Sequence, residues 1–215
     1  MIRKTAARIA GALIILFARF ITAVRANWQG IEPLRRQRVY FPNHVSHGDF
    51  VLLWTVLPPR LRAETRPVAG ADYWLRGALK TFIGIDVFNA VLIDRNPKTR
   101  KADPIQQMLE ALDGGASLII FPEGTRNETD QPLQPFKAGL YHLAKARPDV
   151  ELVPVWIDNL NRVMPKGELI PVPLICTVTL GAPIHLGETE EKSVFLKRAE
   201  SALLGLRPGG GETRS

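Results

Sequence analysis

Cysteine is nearly absent from this 215-residue sequence, and the one thiol, Cys176, has no partner for an internal disulfide. That suits a reducing compartment. There is no internal repeat and no low-complexity tract, which sets aside repeat architectures and biased, disordered segments. With 46% hydrophobic and 23% charged residues the composition is globular. The length allows a sizeable core and fits one domain with at most a small appendage. Several signatures are missing as well. No Gly-x-Ser-x-Gly elbow or His-Glu-x-x-His motif occurs, nor any helix-turn-helix, zinc-finger or RNP pattern.

Acidic residues are scarce in the first half. Residues 1–100 carry 16 Lys and Arg against 6 Asp and Glu, whereas residues 101–215 carry 12 against 15. The formal net charge of +7 therefore rests entirely on the first half. Such an excess suits nucleic acid, anionic lipid or a phosphorylated substrate, or serves solubility alone. Because the arginines are dispersed and no nucleic-acid motif is present, no nucleic-acid partner is expected.

The start of the chain, "MIRKTAARIAGALIILFARFITAVRA", is basic and apolar. Its uncharged run, residues 9–18, is short of the roughly 20 residues that span a bilayer, unless Arg19 snorkels. A signal peptide has a similar outline, but Arg19 and Arg25 stand where small cleavage-site residues belong. The pattern predicts an amphipathic helix in the membrane interface, with Arg3, Lys4, Arg8, Arg19 and Arg25 near anionic lipid phosphates. The competing reading is a helix packed into the core. The expected division is a membrane-associating helix at 1–26, a main domain at 27–206 and a loose tail at 207–215.

Along the main domain, apolar runs of strand length alternate with helical patterns. Strands are expected in "RVYF" (38–41), "RPVAG" (66–70), "DVFNAVLIDR" (86–95), "SLIIF" (117–121), "VELVPVWID" (150–158) and "PLICTVTLGAPIHL" (173–186). Helices are expected near 49–57, closed by Pro58-Pro59, and over 72–84 with Asp72 as N-cap. Others are expected from Pro104 to the Gly114-Gly115 pair, over 138–148 and over 190–206. Residues 27–38 read as a connector. The fold class is α/β, with a largely parallel or mixed central sheet flanked by helices. Such sheets bind ligands at the carboxyl ends of their strands.

Two polar clusters follow directly on expected strands. In "YFPNHVSHGDFVLLW" (40–54), His44, Ser46, His47 and Asp49 crowd together before an apolar run. A metal site lacks further ligands, since His142 and His185 are isolated. A nucleophile has no carrier: Ser46 is poorly placed beside His44, and Cys176 reads as a buried strand residue. A histidine base held by a carboxylate remains. On a continuous helix, His44 and Asp49 would lie about 140° apart, so the pair requires a turn before the helix. Simple helix capping by Ser46 or Asp49 accounts for those residues but not for His44. In "SLIIFPEGTR" (117–126), a strand ends at Pro122 and Gly124 permits a turn. Thr125 and Arg126 then present donors for a phosphate. Glu123 is odd in such a site, and a plain β-turn with a solvated ion pair is the alternative. "LIDR" (92–95) similarly delivers Arg95 at a strand end, a common place for a surface arginine.

Taken together, Asn43-His44-(four residues)-Asp49, "LIDR", "FPEGTR" and "VPVWID" (153–158) resemble the four ordered blocks of the glycerolipid acyltransferases, the 1-acylglycerol-3-phosphate acyltransferase family. "PFKAGLYHLA" (135–144) resembles the stretch between the third and fourth blocks, and the match covers about 38–160. The resemblance implies His44 as general base toward an acceptor hydroxyl and Asp49 as its orienting carboxylate. It implies Arg95 and Arg126 as phosphate ligands, in a site shaped by Glu123, Gly124 and Thr125. Lys137 would add charge nearby, and Pro154 would serve acyl-donor binding or packing. The acceptor would be a lysophospholipid, foremost 1-acylglycerol-3-phosphate to give phosphatidic acid, with lyso-ornithine lipid or lysophosphatidylethanolamine as the alternative acceptors. The alternative from another class is a non-catalytic membrane-binding protein. The donor would be an acyl thioester on coenzyme A or acyl carrier protein. No metal, other cofactor or covalent acyl-enzyme would be required. The enzyme would work at the cytoplasmic face of the cell membrane. His47, and the missing glycine at the start of the second block, depart from the pattern and leave the acceptor's identity open.

Overall fold

The computed structural model describes residues 2–46, 48–96, 98, 100–158 and 175–208. In chain order the elements are α1 (Ile2–Thr22), β1 (Arg25–Trp28), β2 (Arg38–Pro42), α2 (Asp49–Val56), α3 (Pro59–Glu64), β3 (Thr65–Gly70), α4 (Ala71–Trp74) and α5 (Ala78–Thr81). A π-helical turn (Phe82–Val87) follows, then β4 (Val91–Ile93), α6 (Pro104–Asp113), β5 (Ser117–Ile119), α7 (Gly139–Ala146), β6 (Glu151–Asp158), β7 (Thr177–Leu180) and α8 (Lys192–Leu204). The strands form one sheet in the order β1-β7-β6-β2-β5-β3-β4. The run from β6 to β4 is parallel throughout, and β7 turns antiparallel against β6. The fold is therefore α/β with a mixed, largely parallel sheet, as the alternation of elements predicts.

Side-chain alternation along the central strands divides the core in two. Val39, Phe41, Leu118, Leu152 and Trp156 face α6, α7 and α8, where Leu112, Leu140, Leu143, Phe195 and Leu203 are buried. Tyr40, Ile119, Val153, Val155 and Ile157 face the other way, onto Leu52, Leu53 and Trp54 of α2 and Ala18 of α1. Both faces of the parallel strands are covered, which explains why β2, β5 and β6 read as near-continuous apolar runs.

α1 packs by its small residues. Ala7, Gly11, Ala18 and Thr22 are buried, and a Cβ on Gly11 would be in ordinary contact with Val87 and Trp54. The large residues Ile9, Leu13, Leu16, Phe17 and Phe20 are exposed. This inverts the usual core helix, which turns its large residues inward. The apolar stretch is also longer than residues 9–18 suggest. By length and composition, Ile2–Thr22 would suffice to cross a membrane.

Several expectations need correction. β1 forms where a connector was expected, and the division at residue 26 falls inside it. The helix expected over 72–84 is broken at Gly77, whose φ of +92° belongs to the left-handed half of backbone space that glycine tolerates. Asp72 caps nothing, because α4 starts at Ala71 with no side-chain cap. Pro59 does more than close α2: it opens α3 from the first helical turn, where its missing N–H costs nothing. α6 matches its signals, with Asp103 accepting the Ile105 N–H at 3.1 Å and Pro104 following. His47, residues 173–174 of the last expected strand and residues 209–215 of the tail lie outside the described residues.

Candidate active site

The carboxyl ends of β2, β3, β4 and β5 converge on one cavity of about 920 Å³. At the end of β2, Asn43 is buried and bonds both ways with the backbone of Ile157, donating to its carbonyl at 3.1 Å and accepting from its N–H at 2.7 Å. This ties the ends of β2 and β6 together and fixes where the next residue starts. The chain then turns, with Gly48 in the N-cap position of α2 and no side-chain cap. Ser46 accepts the Gly48 N–H at 3.2 Å within the turn, so neither it nor Asp49 caps the helix.

Asp49, the first residue of α2, reaches back into the turn. One oxygen, Oδ2, accepts three donors: His44 Nδ1 at 2.9 Å, the Val45 N–H at 2.7 Å and the Ser46 N–H at 2.8 Å. The turn thus brings together the two residues that a straight helix would hold apart. Asp49 is fully buried (0% exposed) and the His44 side chain is 18% exposed. Burial pushes the Asp49 carboxyl up, while the His44 ring and the two N–H groups pull it back. The His44 ring stacks on Phe121 with centroids 4.0 Å apart. With Nδ1–H donating to Asp49, Nε2 keeps its lone pair, and His44 lines the cavity.

Glu123 finds its explanation here. It is buried, accepts the His44 N–H at 2.8 Å through Oε1 and the Gln134 N–H at 2.8 Å through Oε2. Its carboxyl is pushed up by burial and restrained by those two donors. Glu123 therefore braces the backbone under His44 and does not line the cavity, in contrast to its expected place in the phosphate site. Gly124 needs its residue type for its backbone, since φ is +73°, and the Lys137 side chain lies over it, 2.7 Å from where a Cβ would stand. Lys137 lies across this turn, its N–H bonded to the Pro122 carbonyl at 2.8 Å. Thr125, Arg126 and Lys137 all line the cavity, and Arg126 approaches Glu128 at 3.7 Å.

On the opposite rim, Arg95 is engaged. Its Nη2 donates to both oxygens of Asp72, at 2.9 and 2.8 Å, and its Nε approaches Oδ1 at 3.3 Å. The bond from Arg95 holds the Asp72 carboxyl below the usual carboxylate range. Asp72 was missed as a site residue because it stands 23 positions from its partner and also suits a helix start. The other missed contributions are apolar. Phe121, and a wall of Ile14, Phe50, Val51, Trp74 and Phe88, carry no signal that separates lining a cavity from filling a core. Pro154 lies buried inside β6, between the Leu152–Ile184 bridge and the ladder to β7 that starts at Val155, and packs on Gly181. Cys176 is buried, its thiol pushed up to about 11 by burial, which leaves it un-ionised and unsuited to nucleophilic work. Among the described residues, no group of three His, Cys, Asp or Glu side chains is placed to hold a metal ion.

A model of the acyltransferase family matches residues 25–158, most of the chain, and the chain belongs to that family. Among similar proteins, the 1-acyl-sn-glycerol-3-phosphate acyltransferase of Limnanthes douglasii is 32% identical over 183 residues, covering 82% of this chain and 59% of the relative. That of Cocos nucifera is 29% identical over 168 residues, covering 77% and 52%. The chain therefore spans little more than half the length of these relatives. The crystal structure of the 1-acyl-sn-glycerophosphate (LPA) acyltransferase PlsC from Thermotoga maritima superposes with a TM-score of 0.71 over 99% of this chain and 85% of that one, at 22% identity. It shares the fold.

Proposed function

We propose that this chain is an O-acyltransferase of the membrane surface. It moves a fatty acyl group from a thioester, on coenzyme A or acyl carrier protein, to the free hydroxyl of 1-acylglycerol-3-phosphate, giving phosphatidic acid. The observation that carries this reading is the His44–Asp49 pair at 2.9 Å, opening on a cavity lined both by cations (Arg95, Arg126 and Lys137) and by an apolar wall that includes Ile14, Phe50 and Phe88. Nε2 of His44 takes the proton of the acceptor hydroxyl as its oxygen attacks the thioester carbonyl. The C–O bond forms, the C–S bond breaks, and the leaving thiolate receives the proton from the imidazolium. Asp49 fixes the tautomer and stabilises the imidazolium in between. Arg126, Lys137 and Arg95 bind phosphate, and proximity of the two bound substrates supplies much of the rate.

The exposed apolar face of α1, rimmed by Arg3, Arg8 and Arg19, supports seating in the interface of an anionic leaflet, here assigned to the cytoplasmic face. Ile14 of the same helix lines the cavity, so an acyl chain leaving the bilayer meets the cavity wall. A second acceptor class, lyso-ornithine lipid or lysophosphatidylethanolamine, draws support from the carboxylate of Asp72 among the cations.

The test is transfer from a radiolabelled acyl thioester to a panel of lysolipids, comparing the wild type with His44→Ala. Transfer to lysophosphatidate that is lost in the variant is expected. Transfer to another lysolipid alone would move the acceptor, and equal activity in both proteins would remove His44 as the base.

A further inference from the structure

We propose that Asp72 is a specificity-determining residue of the head-group cavity. It competes with the acceptor's phosphate for Arg95, and so sets the balance between a bare phosphate monoester and a head group that carries an ammonium beside its phosphate. The proposal rests on the reading that this cavity binds a lysolipid head group.

Two neighbouring strand ends build the Asp72–Arg95 pair. Arg95 follows the end of β4, while Gly70 closes β3 and α4, which starts at the next residue, carries Asp72. A Cβ on Gly70 would stand 2.5 Å from Asp72 Oδ1 and 2.6 Å from Arg95 Nε, so the absence of a side chain there makes room for the pair. Both side chains are 52% exposed and both line the cavity, as does Arg76, whose charge also acts on Asp72. An exposed pair of this kind contributes little to stability, so an incoming phosphate can take Arg95 from its partner.

The consequence differs between head groups. When a phosphate monoester takes Arg95, Asp72 loses the cation bonded to it, keeps the charge of Arg76 and faces a dianion. When the head group brings an ammonium, Asp72 accepts that group as Arg95 turns to the phosphate, and no charge is left unpaired. Asp72 thus acts against the first class and tolerates the second, a selection by an unfavourable contact rather than by an added favourable one.

The experiment compares wild type, Asp72→Asn and Asp72→Glu, measuring kcat/KM for lysophosphatidate and for lysophosphatidylethanolamine at low and high salt. Asp72→Asn is expected to raise the ratio of the two in favour of lysophosphatidate by about 10-fold, mostly through a lower KM, and less so in high salt. Asp72→Glu should stay close to wild type. A ratio within twofold of wild type would overturn the proposal. So would a fall in lysophosphatidate turnover, which would make Asp72 a support that positions Arg95. A parallel titration with glycerol 3-phosphate, read by phosphorus NMR, separates this inference from the functional reading. If no lysolipid is acylated but Asp72→Asn still binds glycerol 3-phosphate more tightly, the competition stands and the assigned reaction falls.

Discussion

The two rims of the cavity are built on opposite principles. On the β2 side, Asp49 is completely buried and one of its oxygens takes three donors, while Glu123 ties the His44 backbone N–H to that of Gln134. The imidazole is held in one orientation by its bond to Asp49 and by its stacking on Phe121. On the β3–β4 side, Asp72 and Arg95 bond each other while both side chains stay 52% exposed. A buried, multiply bonded carboxylate is costly to disturb, because removing one partner leaves the rest desolvated and unsatisfied. An exposed pair can be exchanged at little cost. The rim assigned to chemistry is therefore rigid, and the rim assigned to recognition is adjustable.

The largest break in this comparison comes from His44→Ala. It should lower kcat by about 10²–10⁴-fold and also lower the melting temperature, because the buried Asp49 carboxylate loses one of its three donors, as checked by steady-state transfer assays beside thermal unfolding. Asp49→Asn keeps an oxygen for the two backbone donors but loses the charge that stabilises the imidazolium. We expect a kcat reduced by roughly 10²-fold, and retained activity would show that the carboxylate only shapes the turn. Glu123→Gln replaces one acceptor by a donor facing a backbone N–H. It should destabilise the fold by about 1–3 kcal/mol, measured by denaturant unfolding, and reduce kcat as the His44 backbone loosens.

Arg126→Ala tests the cation side. The expected result is a KM for lysophosphatidate raised about 10-fold with kcat little changed, and an unchanged KM would remove Arg126 from the phosphate site. The smallest effect is reserved for a surface pair outside the cavity. Arg198 bonds Glu190 and holds its carboxyl down to about 2. A depressed folded-state value means that the stabilisation is present above the unfolded value near 4.5 and lost as pH falls through about 2. Glu190→Gln should therefore lower stability slightly at neutral pH, converge with wild type near pH 2, and leave transfer activity untouched.

Much of this was legible in the order of residues. The alternation of apolar runs with helical patterns is local, and it determined an α/β fold with polar clusters at strand ends. The pairing of His44 with Asp49 was legible because both lie within six positions and a turn can close them. The signals of α6, from Asp103 and Pro104 to Gly114, act within single turns and read correctly for the same reason.

What the sequence left open depends on groups that meet across distance. Glu123 looked misplaced in a phosphate site because its partners are the backbone N–H groups of His44 and Gln134, which leave no trace in residue identity. Asp72 suited a helix cap until the sheet brought Arg95 beside it. The 72–84 helix failed because the backbone at Gly77 turns to positive φ, a choice that tertiary packing makes and a helical pattern tolerates. The sequence by itself determined which strands and helices form and which residue types gather at strand ends, since propensity and periodicity act over a few residues. Only the tertiary structure decided which of those residues are buried with several partners and which remain exchangeable at the rim, because burial is a property of the whole packed chain.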